Sequence, residues 1–360
     1  MAERRTNAGV HALMGVPFEF LNARLRGRRR LVYEGEALRA LTRVGSVEAL
    51  ARRLYPREGI SGRLALERKL RQDCARELTF FLSLLPTDAG RFYRALVRRF
   101  QVDVIQVLLR LFAGAKEGPP LEEFVPRLPR PLALPVGDLM GSADVRQFCE
   151  RLPRPLDRVA AEAAQLWDLV GSSALVEMAL ERAYWEEVTG TLAQLSGQWR
   201  PECALPLLDE LRTARLVAVL RAARNYQVQW PTLLRVLPRR ESSLKEHAGR
   251  ELPDSVLALI HADPSAENVS ARLGAHSPSA ESIVELEESG WQTAYGLANR
   301  LYYGEVEGPA ILVGYFYIRR HELKQLTALV ETLHFGAPAG APQRAAGSGG
   351  GAAHRGREEC

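Results

Sequence analysis

The chain has 360 residues, of which 46% are hydrophobic and 25% are charged, so its composition is that of a folded globular protein and not of a disordered one. The length is sufficient for two or three domains with substantial cores. The net charge of +5 is mild for this length, and it permits an acidic partner without requiring nucleic acid.

Hydrophobic residues recur at the helical period along most of the chain, and no alternating pattern of useful length predicts a strand. The predicted fold class is therefore all-α. The predicted helical segments, in chain order, are 18–31, 36–54, 64–85, 88–112, 156–195, 205–225, 282–303 and 309–334. A helix is expected to begin near Ser46, and segment 156–195 is expected to break near Gly171 or Gly190. Residues 1–14 are expected to form a flexible arm, and the Gly/Ala/Pro-rich residues 337–360 a disordered tail.

One helical pattern occurs three times, in segments 98–110, 209–221 and 319–331, with steps of 111 and 110 residues (221−110 and 331−221). A gapless alignment places apolar residues at the spacing i, i+3, i+4, which marks one buried face of a helix. These residues are Ile105, Leu108 and Leu109 in the first copy, Leu216, Val219 and Leu220 in the second, and Leu326, Leu329 and Val330 in the third. The pattern predicts three related helical domains, at 15–114, 115–225 and 226–336.

Motifs that carry catalysis or bind cofactors are missing from this sequence. No lysine follows glycine and precedes serine or threonine, so the chain lacks the P-loop pattern for nucleotides. No two histidines lie four residues apart, as a helical zinc motif requires. The four cysteines form no C-x-x-C pair, which indicates a reduced cytosolic setting. We therefore predict no catalytic, cofactor-binding or metal-binding residues.

The chain also shows no signal for membrane insertion. Its longest apolar stretch, near residues 310–318, is far shorter than the roughly 20 residues that span a bilayer. The polar residues at the N-terminus predict no secretory leader. If the protein works at a membrane, we expect other proteins to hold it there.

The strongest local concentration of charge lies in the first predicted helix. It comprises five arginines: Arg24, Arg26, Arg28, Arg29 and Arg30. Such a cluster binds phosphate or an acidic partner, although a solvated helix with apolar side-chain stems produces the same pattern. Aromatic residues do not interleave with the arginines, which disfavours base stacking. We predict that this arginine cluster is the partner interface.

The N-terminal part of the chain resembles the AC39 family, the C-type subunits of the archaeal and bacterial V-type rotary ATPases, which are related to the d-type subunits of the eukaryotic V-ATPases. That family opens with an aromatic-x-x-N-A-R-V-R helix, and residues 18–26 here read FEFLNARLR. The first repeated helix keeps the family's apolar positions and its arginine, Arg110. The family's aspartate and asparagine are replaced by Gln101 and Val104, so any contact that they make does not carry over.

The C-terminal part resembles the same family in its last helix. The matching residues are Pro309, Ile311, Leu312, Tyr315, Arg319 and Glu322, with Gly314 at the place of the family's alanine. The resemblance covers residues 16–336 and is specific at both ends, while it is patchy in the middle.

The resemblance implies three similar helical domains that pack as a funnel around a pseudo-threefold axis. It implies a non-catalytic coupling protein, a socket between the central rotor shaft and the membrane ring of proteolipid subunits, through which torque passes during H⁺ or Na⁺ transport. The implied partners are the shaft subunits and the proteolipid ring, without a cofactor or bound nucleotide. The implied location is cytoplasmic, at the membrane periphery through the other subunits. The alternative is a general α-helical scaffold or a nucleic-acid-binding protein.

Overall fold

The computed structural model describes residues 18–114, 124–195, 197–225, 232–233, 236–237, 280–304 and 308–336, and every regular element within these ranges is helical. The all-α fold class is therefore confirmed. The arm at 1–14 and the tail at 337–360 lie outside the described residues.

Thirteen α-helices occur in the described part of the chain. They are α1 Phe18–Arg29, α2 Gly35–Thr42, α3 Val47–Leu54, α4 Arg63–Phe80, α5 Thr87–Val97, α6 Arg99–Gly114, α7 Val136–Met140, α8 Val145–Glu150, α9 Ala160–Val170, α10 Ser173–Leu192, α11 Arg200–Asn225, α12 Ala280–Tyr303 and α13 Ala310–Phe335. Two short 3₁₀ turns, Phe81–Leu84 and Leu156–Val159, follow α4 and precede α9.

Side-chain caps and one glycine set the helix boundaries that the sequence predicts. Ser46 caps α3, because its hydroxyl accepts the Ala49 amide across 3.2 Å. The predicted break in segment 156–195 occurs at Gly171, whose φ of 65° is left-handed and ends α9. Ser172 then caps α10, which continues through Gly190.

Helix α11 begins earlier than predicted. The sequence predicts its start near residue 205, whereas the structure starts it at Arg200 and places Pro206 inside the helix, beyond the first turn where proline is best tolerated. Cys203, Leu207 and Leu208 are all buried in the largest hydrophobic cluster. We infer that this burial outweighs the loss of one backbone hydrogen bond at the proline.

The apolar residues form three clusters, and the equivalent apolar positions of each repeated copy lie in a different one. The first and largest cluster takes residues from most helices between α1 and the N-terminal half of α13, including the first copy in α6. The second contains residues of α9, α10, α11 and α12, including the apolar positions of the second copy in α11. The third joins α2, α3 and α4 to the C-terminal half of α13, which carries the third copy. Helix α13 therefore links the two ends of the described chain.

Two glycines allow α12 to pack tightly between its neighbours. A Cβ added at Gly290 would overlap the side chain of Thr213 on α11. A Cβ added at Gly314 on α13 would lie 2.9 Å from the carbonyl oxygen of Ala298 and 3.3 Å from the amide nitrogen of Tyr302. The backbone of α12 therefore leaves no room for a side chain at Gly314.

We expect Gly314→Ala to destabilise the protein by about 1–3 kcal/mol, because the neighbouring backbone of α12 has no room for the methyl group. Urea denaturation followed by circular dichroism measures the change. The matched control is Gly296→Ala on α12, whose Cβ would meet nothing within 4 Å. That variant should gain about 0.5–1 kcal/mol from helix propensity. Equal effects at the two glycines would contradict the close approach of α12 and α13.

Candidate functional site

The structure confirms the buried face of the three repeated helices. The copies lie in α6, α11 and α13. All of their equivalent apolar positions are buried except Leu216, which is partly buried against the second cluster. These residues pack in the hydrophobic clusters and are not accessible to a partner. The surfaces available for function are therefore the other faces of the same helices.

The polar faces of the three copies converge on one point. In the gapless alignment, Arg99, Glu210 and Arg320 occupy the second position of the first, second and third copy. A guanidinium nitrogen of Arg320 donates to the Glu210 carboxylate across 2.8 Å. The charge of Arg99 acts on both of these residues. We call Arg99, Glu210 and Arg320 the central triad.

Neighbouring side chains fix Glu210 and Arg320 in place. The Tyr317 hydroxyl donates to the second carboxylate oxygen of Glu210. The guanidinium of Arg320 lies 4.6 Å from the centroid of the Trp291 ring, at a distance typical of a cation–π contact. Glu210 and Arg320 thus have partners on α12 and α13, and little freedom to move.

Arg99 is fixed from two further directions. Its Nε donates to Asp103, one turn along α6, across 2.8 Å. Its Nη1 forms an ion pair with Glu181 on α10, and Gln106 donates to the other oxygen of Glu181 across 3.0 Å. The triad therefore belongs to a network that joins α6, α10, α11 and α13.

The triad stays charged at neutral pH. Burial raises the pKa of the Glu210 carboxyl, but the charges of Arg320 and Arg99 and the hydrogen bond from Tyr317 outweigh it and hold that pKa below its ordinary value. Burial alone would lower the pKa of Arg320, whereas Glu210 raises it above its ordinary value. Because the folded pKa of Glu210 is depressed, the stabilisation is complete above the unfolded-state pKa of about 4.3 and is lost as the pH falls through the folded value.

A cavity of about 490 Å³ adjoins the central triad, between α6, α10, α11, α12 and α13. Equivalent positions of the first two copies line it in pairs: Arg99 with Glu210, Gln106 with Val217, and Arg110 with Arg221. The third copy contributes Arg320. The same face of the first two repeated helices therefore borders the cavity, and the third copy reaches it through Arg320.

The residues at the floor of the cavity are buried and fixed by their partners, whereas those at its rim are accessible to solvent. Only 9% of the Arg320 side chain is exposed at the floor, whereas 60% of the Arg110 side chain is exposed at the rim. The rim charges pair locally, Arg110 with Glu177 and Arg221 with Glu287, the latter at 2.7 Å. Exposed ion pairs contribute only about 0.2–1 kcal/mol each, so groups of a partner can replace them at little cost.

The arginine cluster predicted from the sequence divides in the structure. Arg29 is buried, forms an ion pair with Glu34 and donates to Asn299 on α12 across 2.9 Å. Its guanidinium also lies 5.4 Å from the Tyr302 ring centroid. Arg29 therefore joins α1 to α12 inside the protein, where a partner does not reach it.

The other four arginines of the cluster remain accessible. Arg26 and Arg30 are exposed. The guanidinium of Arg24 lies 4.5 Å from the centroid of the Phe80 ring, and Arg28 lies 3.9 Å from Glu77. These four side chains form one basic surface on α1 and at its C-terminal end.

The polar residues that carry the C-terminal resemblance join the two ends of the chain. The Tyr315 hydroxyl donates to Glu77 on α4 across 2.6 Å, and Arg319 forms an ion pair with the same carboxylate across 2.9 Å. Glu322 accepts the backbone amide of Tyr33 across 2.6 Å. The motif thus has a structural role, since it holds α13 against the N-terminal helices.

The central triad and the cavity were not predicted from the sequence. The available signal was an arginine, a glutamate and an arginine at the same position of three aligned copies. Opposite charges at equivalent positions can pair only if the copies face one another, and a linear sequence does not show whether they do.

Two further observations concern metals and membranes. Within the described ranges, no three or more histidine, cysteine, aspartate or glutamate side chains are grouped so that they could hold a metal ion. None of the helices that the structure describes combines the length and the apolar character needed to cross a membrane.

The fold and the cavity define an all-α protein whose repeated helices converge on a charged, ion-paired cavity. The family model described as "ATP synthase (C/AC39) subunit" matches residues 21–340. No curated protein matches the chain. The chain belongs to the C/AC39 family of V-type ATPase subunits, and it is thus part of an ATPase complex that works at a membrane.

Proposed function

We propose that this protein is the non-catalytic coupling element of a V-type rotary ATPase, a socket that links the central rotor shaft to the membrane proteolipid ring during H⁺ or Na⁺ transport. The convergence of equivalent residues of all three repeats beside the cavity carries this proposal. A socket that transmits torque needs a rigid floor and an accessible rim, and the cavity combines both.

The central triad also supports a pseudo-threefold axis. Equivalent residues of three repeats approach one another only near the axis that relates the repeats. The axis then passes close to Arg99, Glu210 and Arg320, and the proposed domains at 15–114, 115–225 and 226–336 surround it as a funnel. The third copy deviates most from this symmetry, because the C-terminal half of α13 packs against α2, α3 and α4.

The volume of the cavity indicates which part of the rotor shaft can enter it. One turn of an α-helix, about 10 Å across and about 5.4 Å long, occupies roughly 420 Å³. The cavity of about 490 Å³ is therefore large enough for the end turn of one helix or the tip of a loop. We propose that such an end of the shaft enters the cavity and that its charged side chains exchange with the rim pairs of Arg110 and Arg221. The accessible arginines of α1 then face an acidic second partner.

The rim charges provide the test of the proposed function. Arg110→Glu/Arg221→Glu should leave the chain folded, because both side chains are largely exposed. In a reassembled complex we expect ATP-driven ion pumping to fall at least about tenfold, as expected when several exposed charge contacts that each contribute up to about 1 kcal/mol are reversed. The detached catalytic head should still hydrolyse ATP.

The matched control is Arg91→Glu/Arg146→Glu, which reverses two exposed, ion-paired arginines that do not line the cavity. It should leave pumping unchanged. The coupling proposal fails if removal of the whole protein from the complex leaves pumping intact, and the rim assignment fails if both double variants behave alike. A steep salt-dependent affinity of the chain for DNA or RNA would instead support the nucleic-acid-binding alternative.

A further inference from the structure

An apolar line runs along the outward face of α1. Successive residues of a helix are rotated by about 100°, so Phe20, Gly27 and Leu31 lie within about 40° of one another when the turn after α1 is counted as helical. The exposed fraction is 50% for Phe20 and 67% for Leu31. Leu21 and Leu25 lie about 100° and about 140° around the helix from Phe20 and are buried in the first cluster.

Arginines border this line on both sides. At about 100° per residue, Arg24 and Arg28 fall on one side of the line, and Arg26 and Arg30 fall on the other. Phe80 extends the apolar surface beyond Arg24, whose guanidinium lies 4.5 Å from its ring centroid. We call Phe20, Leu31, Phe80 and these four arginines the α1 surface.

Acidic groups in the described part of the chain do not neutralise the α1 surface. Glu77 lies 3.9 Å from Arg28, but it is shared with Arg319 and the Tyr315 hydroxyl, and Glu34 is engaged by Arg29. Glu19 is exposed at the first turn of α1 and is a single opposing charge. Four arginines against this exposed carboxylate and the shared Glu77 leave the surface with a net positive charge.

We propose that the α1 surface binds the anionic headgroups of a lipid bilayer directly. An apolar line between two rows of arginines matches a membrane–water interface, since the apolar side chains enter the boundary region while the long arginine side chains reach the phosphates on either side. An acidic protein loop would account for the arginines but not for the exposed Phe20 and Leu31 between them or for Phe80 beside Arg24. The inference rests on the proposed function, because it names the acidic partner of this surface.

Vesicle co-sedimentation of the full-length chain tests the inference. The chain should bind phosphatidylcholine vesicles that contain phosphatidylglycerol, bind pure phosphatidylcholine much more weakly, and lose affinity as salt is added. Arg26→Gln/Arg30→Gln should weaken binding about 30-fold, which corresponds to about 1 kcal/mol for each basic residue near the surface. Phe20→Ser should weaken it further if the apolar line enters the bilayer boundary.

The matched control is Arg52→Gln/Arg53→Gln, which removes the same charge from two exposed arginines of α3. It should bind vesicles like the unmodified chain. Equal binding to both kinds of vesicle, or equal loss in the two double variants, would overturn the inference. If the chain supports pumping in the reassembled complex but ignores anionic vesicles, the proposed function stands, and the α1 surface faces an acidic protein instead.

Discussion

Leu109→Arg should prevent the protein from folding stably, with a loss on the order of 5 kcal/mol from a total stability of about 5–15 kcal/mol. Leu109 is fully buried in the first hydrophobic cluster, so the new guanidinium would have to lie there without a partner or force the helices apart. Leu220→Arg should act similarly in the second cluster. Urea denaturation followed by circular dichroism measures both effects.

The matched control for these substitutions is Leu169→Arg near the end of α9, where 65% of the leucine is exposed. It introduces the same group and should change the stability by no more than about 0.5 kcal/mol. If Leu109→Arg were as stable as the unmodified protein, the repeated apolar spacing would not mark the buried face of α6.

Glu210→Gln should destabilise the protein by about 3–5 kcal/mol, because it removes the negative charge between two buried arginines. Arg99 keeps Asp103 and Glu181, whereas Arg320 loses its only ion pair among the described residues. The difference in the free energy of unfolding between the variant and the unmodified protein should shrink as the pH falls through the folded pKa of Glu210, because protonation of Glu210 removes the same charge. Urea denaturation at a series of pH values measures it.

The control for Glu210→Gln is Asp168→Asn, which breaks an ion pair with Arg146 at the same distance of 2.8 Å but at the surface. It should cost no more than about 1 kcal/mol. Glu210→Gln/Arg320→Met should recover part of the loss, because it also removes the unpaired charge. Additive losses in the double variant would show that Glu210 and Arg320 do not act as a pair.

Helical periodicity and capping residues made the helices predictable from the sequence. Two helix boundaries depend on single residues that can be recognised in the sequence. The Ser46 hydroxyl accepts a free amide at the start of α3, and Gly171 adopts the left-handed backbone conformation that ends α9. The predicted start of α11 near residue 205 was wrong, because the burial that offsets a proline inside the helix comes from contacts with distant helices. Both ends of the chain also carried enough of a motif to predict the family.

The candidate site was predictable only in part. The sequence treated Arg24, Arg26, Arg28, Arg29 and Arg30 as one cluster, because a run of arginines looks uniform along the chain. In the structure Arg29 is buried against α12, whereas the other four arginines remain accessible. The division into three domains around an axis remains a prediction that the central triad supports.

The sequence by itself determined the all-α fold, the buried face of each repeated helix and the family, because these depend on residue spacing and local motifs. Only the tertiary structure decided that Glu210 and Arg320 pair within the influence of the Arg99 charge, that one cavity adjoins all three, and that Gly314 lies against the backbone of α12. The physical reason is that ion pairs and close helix contacts join residues that are distant along the chain. Their geometry depends on how whole helices pack, and helical periodicity specifies which face is buried but not which partner covers it.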